Sequence, residues 1–201
     1  MLKEFIDFCS ELFPSINPYT VDGLKSAMEQ FELHGKTFPV CLNKPLEYLS
    51  QGDVFSELPF TFFDENGEEN VIYRKALLLS NTCDASRKNS LIFVALQNID
   101  KGSNSGASLA FSDATLKDIK NNKLSQYMYL PSEIIKNDVV DFGVINTFSR
   151  ELILEMIDKK KLNKLLSLNN YGFYILLSKI TILFCRRQDM ETEKDRQAGL
   201  S

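Results

Sequence analysis

The chain has 201 residues, 44% of them hydrophobic and 25% charged, with 9 Gly and 6 Pro, which excludes a disordered or collagen-like polymer and fits one large domain or a domain with a helical appendage. A net charge of −4 offers no overall attraction to phosphate polymers, although a local basic patch can coexist with an acidic total. Four widely spaced cysteines (Cys9, Cys41, Cys83, Cys185) and the lone His34 form no zinc signature, so free thiols, no metal and no cofactor are expected.

The first fifty residues read as a helical extension. Leu2, Phe5, Ile6, Cys9 and Phe13 recur at helical spacing until Pro14 and Pro18 interrupt them. Thr20 or Asp22 can cap a second helix through Leu24, Met28 and Phe31, and Gly35 after His34 suits its C-terminal end. The N-terminus carries acidic residues and lacks the pattern of a secretory signal, so a reducing cytoplasm is expected. Pro39 and Pro45 bracket a link, with a short helical turn expected at Leu46–Leu49.

Residues 51–148 read as a β domain. Gly52 and Asp53 open a strand at Val54 and Phe55, and Phe60–Phe63 continues extended structure. Asn66-Gly67 predicts a hairpin with a primed turn, returning along Val71–Leu79. Leu91–Leu96 predicts a buried strand. Beyond the loop Lys101–Gly106, Ser112 or Asp113 can cap a helix over Ala114–Asn121. Leu124–Leu130, stopped by Pro131, and Val139–Ile145 read as two further strands. Short strands at this density point to a small barrel or curled sheet. Phe55, Phe60, Phe62, Phe63, Tyr127 and Tyr129 alternate along these strands and are expected to fill the core.

Residues 149–187 read as C-terminal helices and 188–201 as a charged, frayed tail. Ser149 precedes a helix through Leu152, Leu154, Met156 and Ile157; Lys159, Lys160 and Lys161 suit the negative end of its dipole. Tyr171–Cys185 is strongly apolar but, at 15 residues with Lys179 inside it, falls short of the ~20 that cross a bilayer.

The densest group of donors, acceptors and a thiol follows the strand Ala76–Leu79: Ser80, Asn81, Thr82, Cys83 and Asp84. Strand ends are where rigid scaffolds present function. Arg74 and the landmarks around it resemble the MazF/PemK-like toxin family, a small SH3-like barrel. Gly52-Asp53 opens a strand, a hairpin follows, and Arg74-Lys-Ala-Leu-Leu-Leu-Ser80 stands where that family has approximately R-P-A-V-V-[IL]-S, with a second apolar strand after it. Ser80-Asn-Thr-Cys-Asp84, Tyr129-Leu-Pro131 and Asp141-Phe-Gly-Val-Ile145 are also similar to motifs of a looser group of uncharacterised bacterial proteins. The resemblance implies an α+β fold: an SH3-like β-barrel flanked by N- and C-terminal helices.

The resemblance also implies a toxin–antitoxin or phage-defence setting, with RNA cleavage by Arg74 and a hydroxyl after the next strand. The chain departs from that pattern, placing Gln97, Asn98 and Ile99 there, and an amide does not titrate near neutral pH. A non-catalytic or weakly catalytic protein acting by protein or nucleic-acid contact is therefore expected, its ligand held by Arg74, Ser80, Asn81, Cys83, Asp84 and Gln97, with a protein partner or homo-oligomer, RNA as a further candidate partner, and no membrane. An endoribonuclease using Arg74 with Ser80 or Thr82, and a structural subunit docking through Tyr171–Cys185, stand as alternatives. Cys83 lacks a sequence-adjacent base, and the carboxylates Asp64, Glu65, Glu68 and Glu69 straddle a hairpin tip where solvation is expected rather than a metal.

Overall fold

The computed structural model describes residues 39–99 and 111–185, together with Asp22, Lys25, Ser26, Glu29, Gln30, Leu33, Thr192, Lys194 and Asp195. His34, Cys9, the first helix and the Lys101–Gly106 loop lie outside the described residues. The six described positions between 22 and 33 are helical, and so are Thr192, Lys194 and Asp195, where the charged tail had been expected to fray.

Six strands form one antiparallel sheet: β1 (Val54–Phe63), β2 (Glu69–Leu78), β3 (Ser90–Asn98), β4 (Tyr127–Tyr129), β5 (Asp138–Ser149) and β6 (Lys164–Leu166), in the order β4-β5-β3-β2-β1-β6. The sheet curls: Phe148 on β5 meets Phe60 on β1 edge to face at 5.9 Å, although β3 and β2 lie between them in the sheet. It does not close. β4 and β6 end the order without pairing, so the expected barrel is an open, curled sheet.

Helices cover what the sheet leaves bare. On one face Ile175 and Leu176 of α4 (Asn170–Cys185) pack on Val54, Leu77, Val94, Leu96 and Val140. On the other, Ala85 of the four-residue α1 (Thr82–Ala85) and Ile153 of α3 (Arg150–Asp158) join Phe55, Phe60, Leu78, Leu91 and Phe93. Successive β3 residues thus enter different cores, which is why that strand reads as a nearly continuous apolar run. Ile119 of α2 (Asp113–Lys120) packs on Tyr127 and Val139. Ser112 and Ser149 cap α2 and α3, each accepting a hydrogen bond from the third backbone N–H on.

Several expectations change. Val54–Phe55 and Phe60–Phe63 are one strand, with Ser56 bulged out between Phe55 and Glu57. The hairpin turn is not the two-residue primed form: Gly67 N–H donates to the Asp64 carbonyl, Asp64 N–H to the Glu68 carbonyl, and only Gly67 has positive φ. Leu124–Leu130 shortens to β4, because residues 121–126 turn around Asn122 at φ 54°. Leu46–Leu49 forms no helix, since its polar backbone groups bond to β6 and its neighbours. β6 itself was not anticipated; three residues give too short a pattern to read.

Asp141-Phe142-Gly143 has a structural explanation. Ala95 pairs with Asp141 and Val94 with Ile145, so β5 carries three extra residues there. Asp141 Oδ1 accepts from Gly143 N–H and from Gln126 Nε2, holding the bulge in place. Among the described residues no helix is long and apolar enough to cross a membrane.

Candidate functional site

The opening Gly-Asp of β1 builds a densely hydrogen-bonded polar site. Gly52, at φ +90°, passes so close to Leu168 that a Cβ would sit 2.7 Å from its Cδ1. That turn aims Asp53 inward, where it is fully buried. Lys164 Nζ lies 2.7 Å from Asp53 Oδ2, Ser167 donates to Oδ1 at 2.5 Å, and Ser50 N–H donates to Oδ2 at 2.8 Å. Lys164 also donates to the Leu46 and Tyr48 carbonyls. All three Lys164 ammonium protons and the Ser167 hydroxyl proton are taken up inside the fold, and this network fastens the 46–50 link and β6 to the sheet.

The strand-end motif is similarly occupied. Ser80 Oγ accepts from Ile92 N–H, Asn81 Oδ1 caps α1 through Cys83 N–H, and Thr82 Oγ1 accepts from Gln51 N–H while lying 3.2 Å from Ser50 Oγ. Arg87 Nε donates to the Cys83 carbonyl, and its guanidinium stands 3.8 Å from Asp84. Cys83 is an exposed free thiol with no hydrogen bond to its sulfur among the described residues.

Arg74 and Gln97 lie elsewhere. Arg74 faces Leu58 across the β1–β2 ladder and donates to the Tyr73 carbonyl, whereas Gln97 pairs with Val139. Six residues of extended chain separate Arg74 from Ser80, roughly 20 Å at ~3.3 Å per residue. The six expected site residues therefore fall into two groups: Ser80, Asn81, Cys83 and Asp84 at one end of the strand, Arg74 and Gln97 toward the other. Sequence reasoning missed the polar cluster near the second group, where buried Asp138 takes Lys75 Nζ at 2.6 Å and Asn98 Nδ2 at 2.9 Å, tying β2 to β5 across β3.

Other titratable groups serve the fold. Burial pushes the Cys41 thiol up to about 11, leaving it inert at neutral pH. Asp64 is held below the usual carboxylate range, first by Glu68 N–H and then by further turn donors, and so anchors the hairpin tip. No cluster of metal-ligating side chains occurs among the described residues.

One cleft adjoins the motif. About 540 Å³ in volume, it lies between the 42–51 link, Thr82 and the start of α4, lined by Leu42, Tyr48, Gln51, Thr82, Leu168 and Tyr171 among others. None of its described lining side chains is charged. A second groove, about 570 Å³, runs along α3 beside Arg150, Glu151, Glu155 and Asp158, where carboxylates outnumber the one described cation.

The chain matches no protein-family model and no curated protein. Among solved structures it is similar to a MazE–MazF crystal structure (form II) from Deinococcus radiodurans, at 12% identity and a TM-score of 0.38, covering 70% of this chain and 99% of that chain. A likeness of that degree carries no argument about activity.

Proposed function

We propose that this chain is a binding protein rather than a nuclease, and that it takes an uncharged peptide-like segment in the cleft beside Thr82. The observation that carries the reading is the described lining of that cleft: aromatic and aliphatic walls, neutral amides and hydroxyls, and no charged side chain among the described residues. Its volume lies in the range of small-ligand sites. A phosphodiester site would present cations to the phosphate, and the one arginine of the family-like strand lies roughly 20 Å along the chain from Ser80. The toxin–antitoxin or phage-defence setting rests on the sequence resemblance from Gly52 to Leu96, and a protein partner is its natural ligand.

Saturation-transfer NMR with a panel of N-acetylated amino-acid amides tests the reading. Neutral aromatic and aliphatic members should receive transfer, charged members should not, and Tyr48→Ser should abolish it. Incubation with mixed-sequence single-stranded RNA should leave the RNA intact. Cleavage that disappears in Arg74→Ala would replace the binding reading with the endoribonuclease one.

A further inference from the structure

We propose that the outward face of the β1–β2 ribbon is a docking surface for a cationic, extended segment of a partner protein. The site is separate from the cleft and does not depend on it.

The ladder pairs Pro59 with Tyr73, Thr61 with Val71 and Phe63 with Glu69, which puts these six side chains on one face. Two positions further along β2 from Lys75, the same face is buried as Leu77 beneath α4. The apolar face therefore outruns its cover. Phe63 is 70%, Val71 52% and Tyr73 61% exposed, although large apolar side chains grouped on one surface mark interaction sites. Phe63 had been expected in the core. The alternation of the strand is correct, but the hairpin extends past the elements that would bury it.

Charge identifies the occupant. From Gln51 to Tyr73 the sequence holds six acidic residues and no lysine, arginine or histidine; of the two cations that follow, Lys75 is paired with Asp138, and Arg74, which donates to the Tyr73 carbonyl, alternates to the other face of the ribbon. Asp53 is consumed by Lys164, and Asp64 by its turn. Glu57, Glu65, Glu68 and Glu69 are exposed, with no ion pair among the described residues. Such a rim repels phosphates, which disfavours RNA, and it repels a second copy of itself, since a two-fold pairing would set acidic ribbon on acidic ribbon. A partner bearing lysine or arginine between apolar residues complements both features.

Backbone pairing favours an extended partner over a helical one. Among the described residues, β1 beyond Ser56 pairs only with β2, and β2 before Ala76 pairs only with β1, so each strand has an outer edge with no described sheet neighbour. Pro59 removes one donor from β1. The Glu69–Tyr73 stretch of β2 contains no proline, so its N–H groups that point away from β1 can pair with an added strand, whose alternate side chains would cover Val71 and Tyr73.

The test uses the full chain and a fluorescein-labelled peptide of alternating lysine and valine. Controls are the same peptide with glutamate for lysine and a helix-forming lysine–leucine peptide of equal charge. Fluorescence anisotropy should show binding of the first peptide alone, weakening as salt rises. The double variant Val71→Ser/Tyr73→Ser alters only exposed side chains and should weaken binding roughly tenfold or more with an unchanged circular dichroism spectrum. Tyr48→Ser should leave it unaltered, so that failure of the cleft and failure of the ribbon are distinguishable. Equal binding of the glutamate peptide, tighter binding of the helical one, or an unaffected double variant would overturn the proposal. So would a concentration-dependent dimer that dissociates in the double variant, which would assign the face to a second copy.

Discussion

Asp53→Asn is the substitution whose cost can be followed atom by atom. The carboxylate receives three donors: Ser167 Oγ–H on Oδ1, and Ser50 N–H with the Lys164 ammonium on Oδ2. An amide retains one oxygen. In its better orientation that oxygen keeps Ser50 and Lys164, and the new NH2 turns toward Ser167, whose Oγ already accepts from Leu46 N–H. The serine can accept a second bond only by giving up its own donation. Lys164, 13% exposed, is then left without a counter-charge, held by two carbonyls. Losing a hydrogen bond to a charged group costs about 1.5–3 kcal/mol, and removing one member of a buried pair about 3–5 kcal/mol. With the amide oxygen still in place, the expected loss is about 2–4 kcal/mol. Urea unfolding followed by far-UV circular dichroism measures it, and tyrosine fluorescence provides a second probe in a chain without Trp. A loss below ~1 kcal/mol would refute the reasoning, because it would mean that water reaches Lys164 and that the network is not the fastening of the 46–50 link.

Gly172→Ala should lower stability by about 3 kcal/mol or more in a thermal melt, because its Cβ would lie 2.2 Å from the Val40 carbonyl oxygen, a backbone atom that cannot step aside. Lys179, buried in α4, donates to the Asn122 and Leu124 carbonyls at 2.6 Å, and burial pushes its ammonium down to about 8 from 10.5. Below pH ~8 both folded and unfolded chains hold this proton; above it the folded chain loses the proton first, so stability should rise with pH, by up to about 3 kcal/mol over the full interval. The rise should be visible between pH 8 and 10 and absent in Lys179→Met. Tyr127 and Tyr129, raised first by burial and then by Asp141 and Glu133 respectively, oppose it from pH ~10 upward, since the unfolded chain ionises them sooner. Ser80→Ala should cost about 1–2 kcal/mol in the same urea assay, by leaving Ile92 N–H without its acceptor.

What could be read in the sequence divides along physical lines. Periodicity reports burial, so the Leu91–Leu96 run and the apolar C-terminal segment appear as β3 and α4. Serine followed within the next turn by an acidic residue reports a helix start, and Ser112 and Ser149 both cap, with Asp113 and Glu151 in their first turns. Pairings distant in sequence leave no such trace. Asp53 and Lys164 stand 111 positions apart, and nothing local to either says that they meet. Lys179 did leave a signal: a single charge inside ILLSKITIL must find acceptors if that face is buried, and the turn at Asn122 supplies them.

The strand-end motif is instructive, since a cluster of small polar residues looks alike in sequence whether it serves a ligand or the chain. What separates the two is the destination of each atom. Ser80 goes to Ile92, Asn81 to Cys83, and Thr82 to Ser50 and Gln51. The surfaces proposed for binding are instead places where the fold leaves apolar groups uncovered, as at Tyr48 and Tyr73. Sequence alternation marks Phe63, Val71 and Tyr73 as strand residues, but it contains no record of where the covering helix stops. Whether they lie in a core or on a binding face is decided by the reach of α4 over the sheet, and α4 packs on Leu77 rather than on Tyr73.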